Sequence, residues 1–343
     1  MMGQTGLIGN GGKNMELQTK IKKRRLGSSD LYVSALGLGC WQFSKGSGLV
    51  GRFWPVLDEN DVRDIVRKSL EGGINWFDTA EVYGKGKSEE ALANALHALG
   101  NQADSALIAT KWWPLFRTAN SLTGTIEERL RALQGREIDL YQIHQPFSFS
   151  GVRAQMHAMA ELLQSRKIRH AGVSNFNAAK MREAHAALGE HGFPLVSNQV
   201  KYSLLDRRIE ENGILDAAKE LGITIIAYSP LEQGILSGKF HQNPELIRNI
   251  TGPRKYMPQF KSAGLEKTRP LIDLLARLAD EYGVTSSQIA LNWTIQFHGD
   301  TVLAIPGASK VRHAEENIGA LQFELSPAHL RQIDEVSREV NAR

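Results

Sequence analysis

The sequence predicts an α/β protein, a (β/α)8 TIM barrel with an N-terminal hairpin and a long loop after strand 7. Eight apolar, β-branched segments recur, each ending in a polar or special residue: "VSALGLGCW", "INWFDTA", "SALIATKWW", "IDLYQIHQP", "RHAGVSNF", "PLVSNQVKY", "ITIIAYSPL" and "TVLAIPGAS". Take Trp41, Asp78, Lys111, His144, Ser174, Gln199, Tyr228 and Gly307 as their ends. The first seven then lie about 25 to 37 residues apart, the length of one strand–helix unit. That alternation favours parallel pairing through right-handed crossovers, and eight units close into a barrel. The rival, an open doubly wound sheet, wants a glycine-rich fingerprint after its first strand. "LGLGCWQF" supplies Gly37 and Gly39 but has Gln42 where the third glycine should stand.

In chain order, "MMGQTGLIGNGGKN" is Gly-rich and unpatterned, so residues 1–20 are expected to form a disordered tail, with Met15 an alternative start. Residues 21–343 are expected to form one barrel domain. "KKRRLGSSDLYVS" reads as a short hairpin turning at Gly27 to Asp30. Between the strands lie amphipathic patterns such as "DVRDIVRKSLEGG", "SEEALANALHALG", "GTIEERLRALQG" and "NGILDAAKELG", several stopped by a glycine cap. Ser88, followed by Glu89 and Glu90, reads as a helix start. Gly86-Lys87-Ser88 resembles the tail of a phosphate loop, but Glu81 stands where that loop needs glycine. The interval from Tyr228 to Gly307 holds a long Gly/Pro/basic stretch and then two helical patterns, "TRPLIDLLARLADEYG" and "SSQIALNWTIQFHG". Such a loop is usually functional. Residues 232–262 show no core of their own and are expected to be mobile until a cofactor orders them. "SPAHLRQIDEVSREV" adds a terminal helix.

The 343 residues are 42% hydrophobic and 23% charged, ample for a globular core. One cysteine, Cys40, excludes an internal disulfide and a cysteine zinc cage, and reads as a small buried strand residue. No run approaches the roughly 18 apolar residues of a membrane span, and a cytoplasmic location is expected. Net charge is +4, part of it from "KIKKRR". Without interleaved aromatics this cluster reads as a solvated strand edge rather than a nucleic-acid surface.

Asp78, Lys111 and His144 end three successive strands and therefore meet at the C-terminal face, where barrel enzymes place their sites. Tyr83 lies in the loop just above Asp78. A neighbouring ammonium stabilises a phenolate and lowers the phenol's pKa. Lys111 is placed to do this, with its charge held by Asp78, while His144 can orient a substrate oxygen. The result is a proton donor aimed at a carbonyl, with no metal ligand set and no activated nucleophile. The other histidines, among them His157, His191 and His313, fall on helical patterns and read as surface or core residues.

At this point the sequence resembles the aldo-keto reductases over about residues 21 to 340, and within them the branch of potassium-channel β subunits and bacterial general-stress proteins. The motifs are "GINWFDTAEVYGKGKSEEALANAL", "ATKWW", "DLYQIHQP", "AGVSNF", "NQVKYSLLDR", "AYSPLEQGILSGK" and "AIPGASKVRHAEENI". The resemblance implies NADPH-dependent reduction of an aldehyde or ketone, with Tyr83 as general acid, Lys111 and Asp78 tuning it, and His144 orienting the carbonyl. By position, Ser174, Asn175 and Gln199 would bind the nicotinamide carboxamide and Tyr228 would stack on its ring. Ser229, Leu231, Gly234 and Lys239 would line the pyrophosphate; Gly307, Ser309, Glu316 and Asn317 would hold the adenosine end, and Trp41 would face the substrate or nicotinamide. Lys310 and Arg312 suit a 2′-phosphate, which favours NADPH over NADH. Many family members carry Lys where Gly307 stands and a basic residue where His313 stands.

The resemblance also admits a different function, a cofactor-binding auxiliary subunit of a potassium channel, although that subgroup tends to replace the histidine that His144 retains. Trp41, Phe43, Trp54, Trp112, Phe116, Phe147 and Phe149 are candidates to wall an aromatic substrate pocket, with Trp113 a candidate for the core.

Overall fold

The computed structural model describes residues 21–46, 56–250 and 252–342; the expected tail and Trp54 lie outside them. Strands β1 (Lys23–Arg25) and β2 (Tyr32–Ser34) pair antiparallel as the expected hairpin. Eight parallel strands follow in sequence order: β3 (Leu38–Gly39), β4 (Trp76–Asp78), β5 (Leu107–Trp112), β6 (Leu140–Ile143), β7 (His170–Ser174), β8 (Leu195–Lys201), β9 (Thr224–Tyr228) and β10 (Val302–Ala304). Parallel bridges from Leu36 to Ala304 and from Gly39 to Gly307 join the first strand to the last and close the barrel. Each strand is buried along nearly its whole length, as expected where helices cover the outside and side chains fill the inside.

The hairpin seals the end of the barrel where the strands begin. Gly27 turns with φ +53, and a Cβ there would stand 2.3 Å from the Val196 carbonyl oxygen, so only glycine fits. Its N–H donates to Thr224 Oγ1 at 2.6 Å, and Leu26, Leu31 and Val33 are buried beneath it. The basic cluster is tied down in part: Arg24 donates to the carbonyls of Ile295 and Val302 at 2.6 and 3.2 Å.

The amphipathic patterns form helices at Glu59–Glu71, Lys87–Leu99, Ile126–Ala132 and Ile214–Leu221. Asp58 caps the first through the Asp61 N–H. The second begins at the expected place but for another reason. Its cap is left-handed Gly86, while Ser88 is buried and donates to the Cys40 carbonyl. The terminal helix spans Pro327–Ala342.

The long segment after β9 departs from expectation. It is a chain of short helical turns, and Ile235, Phe240, Phe260 and Leu265 form an apolar cluster separate from the main core. Phe240 and Phe260 meet edge to face at 5.2 Å. The segment therefore has a small core of its own, which its irregular spacing hid. That cluster also explains why the next helix begins at Ser262, ahead of the predicted pattern, and continues through Pro270 to Tyr282: its first turn brings Leu265 into the cluster. Lys201 on β8 pairs with buried Glu232 at 2.9 Å and fixes the start of the segment to the barrel rim. Among the described residues no helix is long and apolar enough to cross a membrane.

Candidate active site

Asp78 ends β4, Lys111 is the penultimate residue of β5, and His144 follows β6 directly, so all three stand at the same barrel rim. Lys111 and Asp78 are both buried and form an ion pair. Lys111 Nζ also donates to the Thr79 carbonyl at 2.8 Å, and Gln142 and Gln199 donate to the other Asp78 oxygen at 3.2 and 2.9 Å. A buried carboxylate held by three donors gives Lys111 one defined position.

Tyr83 comes down onto this pair from the turn before the Lys87–Leu99 helix. The Lys111 ammonium is 5.1 Å from its ring centroid. Trp41 stacks beside the phenol with 6.0 Å between centroids, and His144 meets its edge at 5.6 Å. The expected lowering of the phenol's pKa is not the net result. Burial pushes Tyr83 up, and the Lys111 charge offsets only part of that. Proximity of a cation was legible in the sequence, but the depth of the site was not. Burial pulls the Lys111 ammonium down, yet the Asp78 carboxylate and the Tyr83 phenol outweigh it, so Lys111 is held above its ordinary value. Burial, then Lys111, keeps His144 well below the usual imidazole range, hence neutral at pH 7. Its Nδ1 is buried with no hydrogen-bond partner among the described residues.

Two of the proposed pocket residues lie in the core, and the residue expected in the core lies at the site. Trp112 is fully buried and Phe43 likewise belongs to the core. Trp113, expected in the core, instead meets His144 edge to face at 5.1 Å and Phe147 at 6.1 Å. Strand alternation held the clue: Trp113, two residues beyond Lys111, shares its side, while Trp112 faces the helices.

Ser174 Oγ donates to the Gln199 carbonyl at 2.8 Å. Asn175, left-handed at φ 61, donates to the His144 carbonyl at 3.2 Å and accepts from the Tyr228 hydroxyl at 3.1 Å. Gln199, expected to reach a carboxamide, spends its side-chain N–H on Asp78 instead. Ser229 is left-handed at φ 53 and leads into Leu231, half buried against the core. Gly234 is left-handed too, with its N–H donating to the Leu231 carbonyl at 2.9 Å and Lys239 Nζ 3.6 Å from where a Cβ would stand.

Across the rim, a Cβ at Gly307 would meet the Gln42 side-chain amide at 2.3 Å, so a side chain there would require that flexible amide to move aside. Ser309 N–H donates to His313 Nδ1 at 3.3 Å. Burial first, then the charges of Lys239, Arg312 and Lys310, depress His313 to about 4, so three cations converge on one half-buried imidazole. Arg312 pairs with Glu316 at 3.6 Å, and Asn317 Nδ2 is buried with no acceptor among the described residues. Of the expected cofactor residues, Asn175 and Tyr228 are hydrogen-bonded to each other, and Lys239, Ser309, Lys310 and Arg312 gather around His313.

A group that the sequence reading missed lies behind Trp113. Glu81 Oε1 accepts the Trp113 N–H and an Arg117 N–H, each at 2.5 Å. Arg129 lies 3.3 Å from both Glu81 and Glu89. Thr110 Oγ1 donates to Glu89 at 2.6 Å. Burial raises Glu89 to about 7 against the lowering effects of Arg129 and Thr110. In sequence these charges resemble a solvated helix entry.

The structure is a closed parallel barrel that carries a lysine–aspartate pair, a phenol and an imidazole together at one rim. The profile of the Aldo/keto reductase family matches residues 35–338. The chain belongs to that family, a family of oxidoreductases. It is 39% identical over 297 residues to an uncharacterized oxidoreductase of Mycobacterium bovis, covering 86% of each chain. With a probable aldo-keto reductase 1 of Glycine max it shares 31% over 327 residues, covering 93% of this chain and 89% of that one. Among solved structures, the glycerol dehydrogenase of Gluconobacter oxydans superposes with a TM-score of 0.80 at 27% identity, covering 93% and 96% of the two chains. An aldo/keto reductase from Klebsiella pneumoniae in complex with NADP and acetate gives 0.70 at 27% identity, covering 92% and 95%.

Proposed function

We propose that this protein is an NADPH-dependent carbonyl reductase that converts an aldehyde or ketone to an alcohol. The observation that carries the reading is the single constellation of Tyr83, Lys111, Asp78 and His144. Tyr83 is protonated at pH 7 and can donate its proton to a carbonyl oxygen, and the adjacent Lys111 ammonium stabilises the phenolate as it forms. Asp78 keeps Lys111 in place, and neutral His144 offers a hydrogen bond that orients the same oxygen. Trp41 and Trp113 flank the reacting groups, the first stacked on Tyr83 and the second edge to face with His144.

The residues present fit NADPH. Asn175, Tyr228 and Ser174 would hold the nicotinamide end. Ser229, Leu231, Gly234 and Lys239 would line the pyrophosphate, and Ser309, Lys310, Arg312, His313 and Asn317 would hold the adenosine phosphate end. Bound there, the cofactor supplies the hydride. The convergence of Lys239, Lys310 and Arg312 on His313 favours the extra phosphate of NADPH over NADH. A potassium-channel auxiliary subunit is the weaker reading, because the full proton-transfer set is retained. One buried cysteine and a barrel without a membrane-spanning helix among the described residues suit a cytoplasmic enzyme. The test is a panel of aldehydes and ketones scored by NADPH oxidation at about 340 nm. Tight NADPH binding with no carbonyl reduced across the panel would favour the binding-subunit reading.

A further inference from the structure

The turn that carries Tyr83 takes a shape that a free chain rarely adopts. Three successive residues just beyond the phenol, Gly84, Lys85 and Gly86, are left-handed, at φ 65, 57 and 87. Lys85 lacks glycine's freedom, and such a run persists only where its surroundings over-determine it. Within the turn the Tyr83 N–H donates to the Ala80 carbonyl at 3.0 Å, and the Tyr83 carbonyl accepts the Ser88 N–H at 3.2 Å. Neither bond fixes the turn to the barrel.

What fixes it lies at its two ends, and the ends share a partner. Glu81 enters the turn and Glu89 leaves it, one on each side of Tyr83, and both are buried. They attach to consecutive residues of β5: the Glu81 N–H donates to the Lys111 carbonyl at 3.3 Å, and Glu89 accepts from Thr110 Oγ1 at 2.6 Å. From the other direction Arg129 Nη1 stands 3.3 Å from a carboxylate oxygen of each. Arg129 belongs to the helix Ile126–Ala132 and is itself buried, and its Nη2 lies 3.8 Å from where a Gly86 Cβ would stand, so it reaches the turn itself. A buried guanidinium is costly unless paired, and its planar fork suits two carboxylates at once. A bridge elsewhere along the Lys87–Leu99 helix would also tie that helix to the barrel; this one spans the proton donor.

We propose that Arg129 is a positioning residue for Tyr83: by joining Glu81 to Glu89 it closes the proton-donor turn and holds the phenol in register with Lys111. The inference rests on the carbonyl-reductase reading above, in which Tyr83 gives the proton. Arg129 acts on the turn, not on the carbonyl. Its loss frees the two ends of the turn from each other while the Lys111–Asp78 pair stays in place, so the donor is misaimed although the charges around the carbonyl are unchanged.

The test is a double-mutant cycle on the full chain: single-turnover reduction of 4-nitrobenzaldehyde by NADPH at pH 8, above the Glu89 value of about 7, for the wild type, Arg129→Met, Tyr83→Phe and the two substitutions together. Arg129→Met is expected to slow the reaction by about ten- to a hundredfold, as a misplaced reacting group does, with the NADPH Kd by fluorescence titration within roughly twofold of the wild type. In the Tyr83→Phe background the same substitution slows it no further, because no phenolic proton is left to aim. Arg129→Met leaves Glu89 buried without its cation, so Arg129→Met/Glu89→Gln, which removes one charge of each sign, is measured beside it. That variant is expected to regain melting temperature but not rate. If it regains the wild-type rate, or if Arg129→Met costs as much without the Tyr83 hydroxyl as with it, Arg129 is merely structural and the proposal is overturned. A wild type that reduces no carbonyl of the panel above overturns the reductase reading instead.

Discussion

The Lys111 ammonium lies 5.1 Å from the centroid of the Tyr83 ring while it is ion-paired with Asp78, so one cation serves two groups of opposite need. It neutralises a buried carboxylate permanently and a phenolate only when one forms. Lys111→Met removes both services. Asp78 is left as a buried charge without its cation, a loss of about 3 to 5 kcal/mol for a broken buried pair, and the phenol loses the partner that offsets its burial. Carbonyl reduction is expected to fall by at least a hundredfold, with a lower melting temperature. A Lys111→Met protein of wild-type stability and rate would show that the pair carries neither role.

Tyr83→Phe separates chemistry from binding. The ring keeps its contacts with Trp41 and His144, but the proton at the reacting position is gone. The rate of carbonyl reduction is expected to drop by about 10² to 10⁴, while NADPH affinity by fluorescence titration changes little. Wild-type turnover by this variant would remove Tyr83 as the acid.

What the sequence disclosed and what it hid follow from the range of the interactions involved. Strand and helix periods are local, so all eight barrel strands and the main helices could be read directly. Asp78, Lys111 and His144 were visible because each ends a strand, and strand ends share a rim in any barrel. Glu81, Glu89, Arg117 and Arg129 were invisible because nothing local distinguishes a carboxylate that salt-bridges in the interior from one at a solvated helix start. The net upward shift of Tyr83 was missed for the same reason, since burial is a property of the whole fold. Trp113 was within reach, for strand alternation from Lys111 assigns it to the site.

The cluster around His313 yields a prediction about cofactor choice. Lys310 and Arg312 are exposed, whereas His313 is half buried and depressed to about 4 by burial and by those cations with Lys239. Lys310→Glu/Arg312→Glu is expected to weaken NADPH by roughly ten- to a hundredfold, the loss of one or two charge-assisted contacts, with a much smaller effect on NADH. Equal losses for both cofactors would mean that the two cations do not read the 2′-phosphate.

Glu89 makes the sharpest statement about stability. Its folded-state pKa, about 7, lies above the 4.5 of a free carboxyl, so between those values the folded chain holds a proton that the unfolded chain has released. The resulting stabilisation is fully present below about 4.5 and is lost as the pH rises through about 7. From the size of the shift, that loss amounts to about 2 to 3 kcal/mol between pH 5 and pH 8.5. Glu89→Gln mimics the protonated acid at every pH, so its stability should rise relative to the wild type by this amount across the same interval. Urea denaturation of both proteins at pH 5, 7 and 8.5 reads the difference directly. Parallel curves would show that Glu89 stays ionised in the folded protein, with Arg129 and Thr110 fully offsetting its burial, and would undo the account of this network as one that carries a proton at neutral pH.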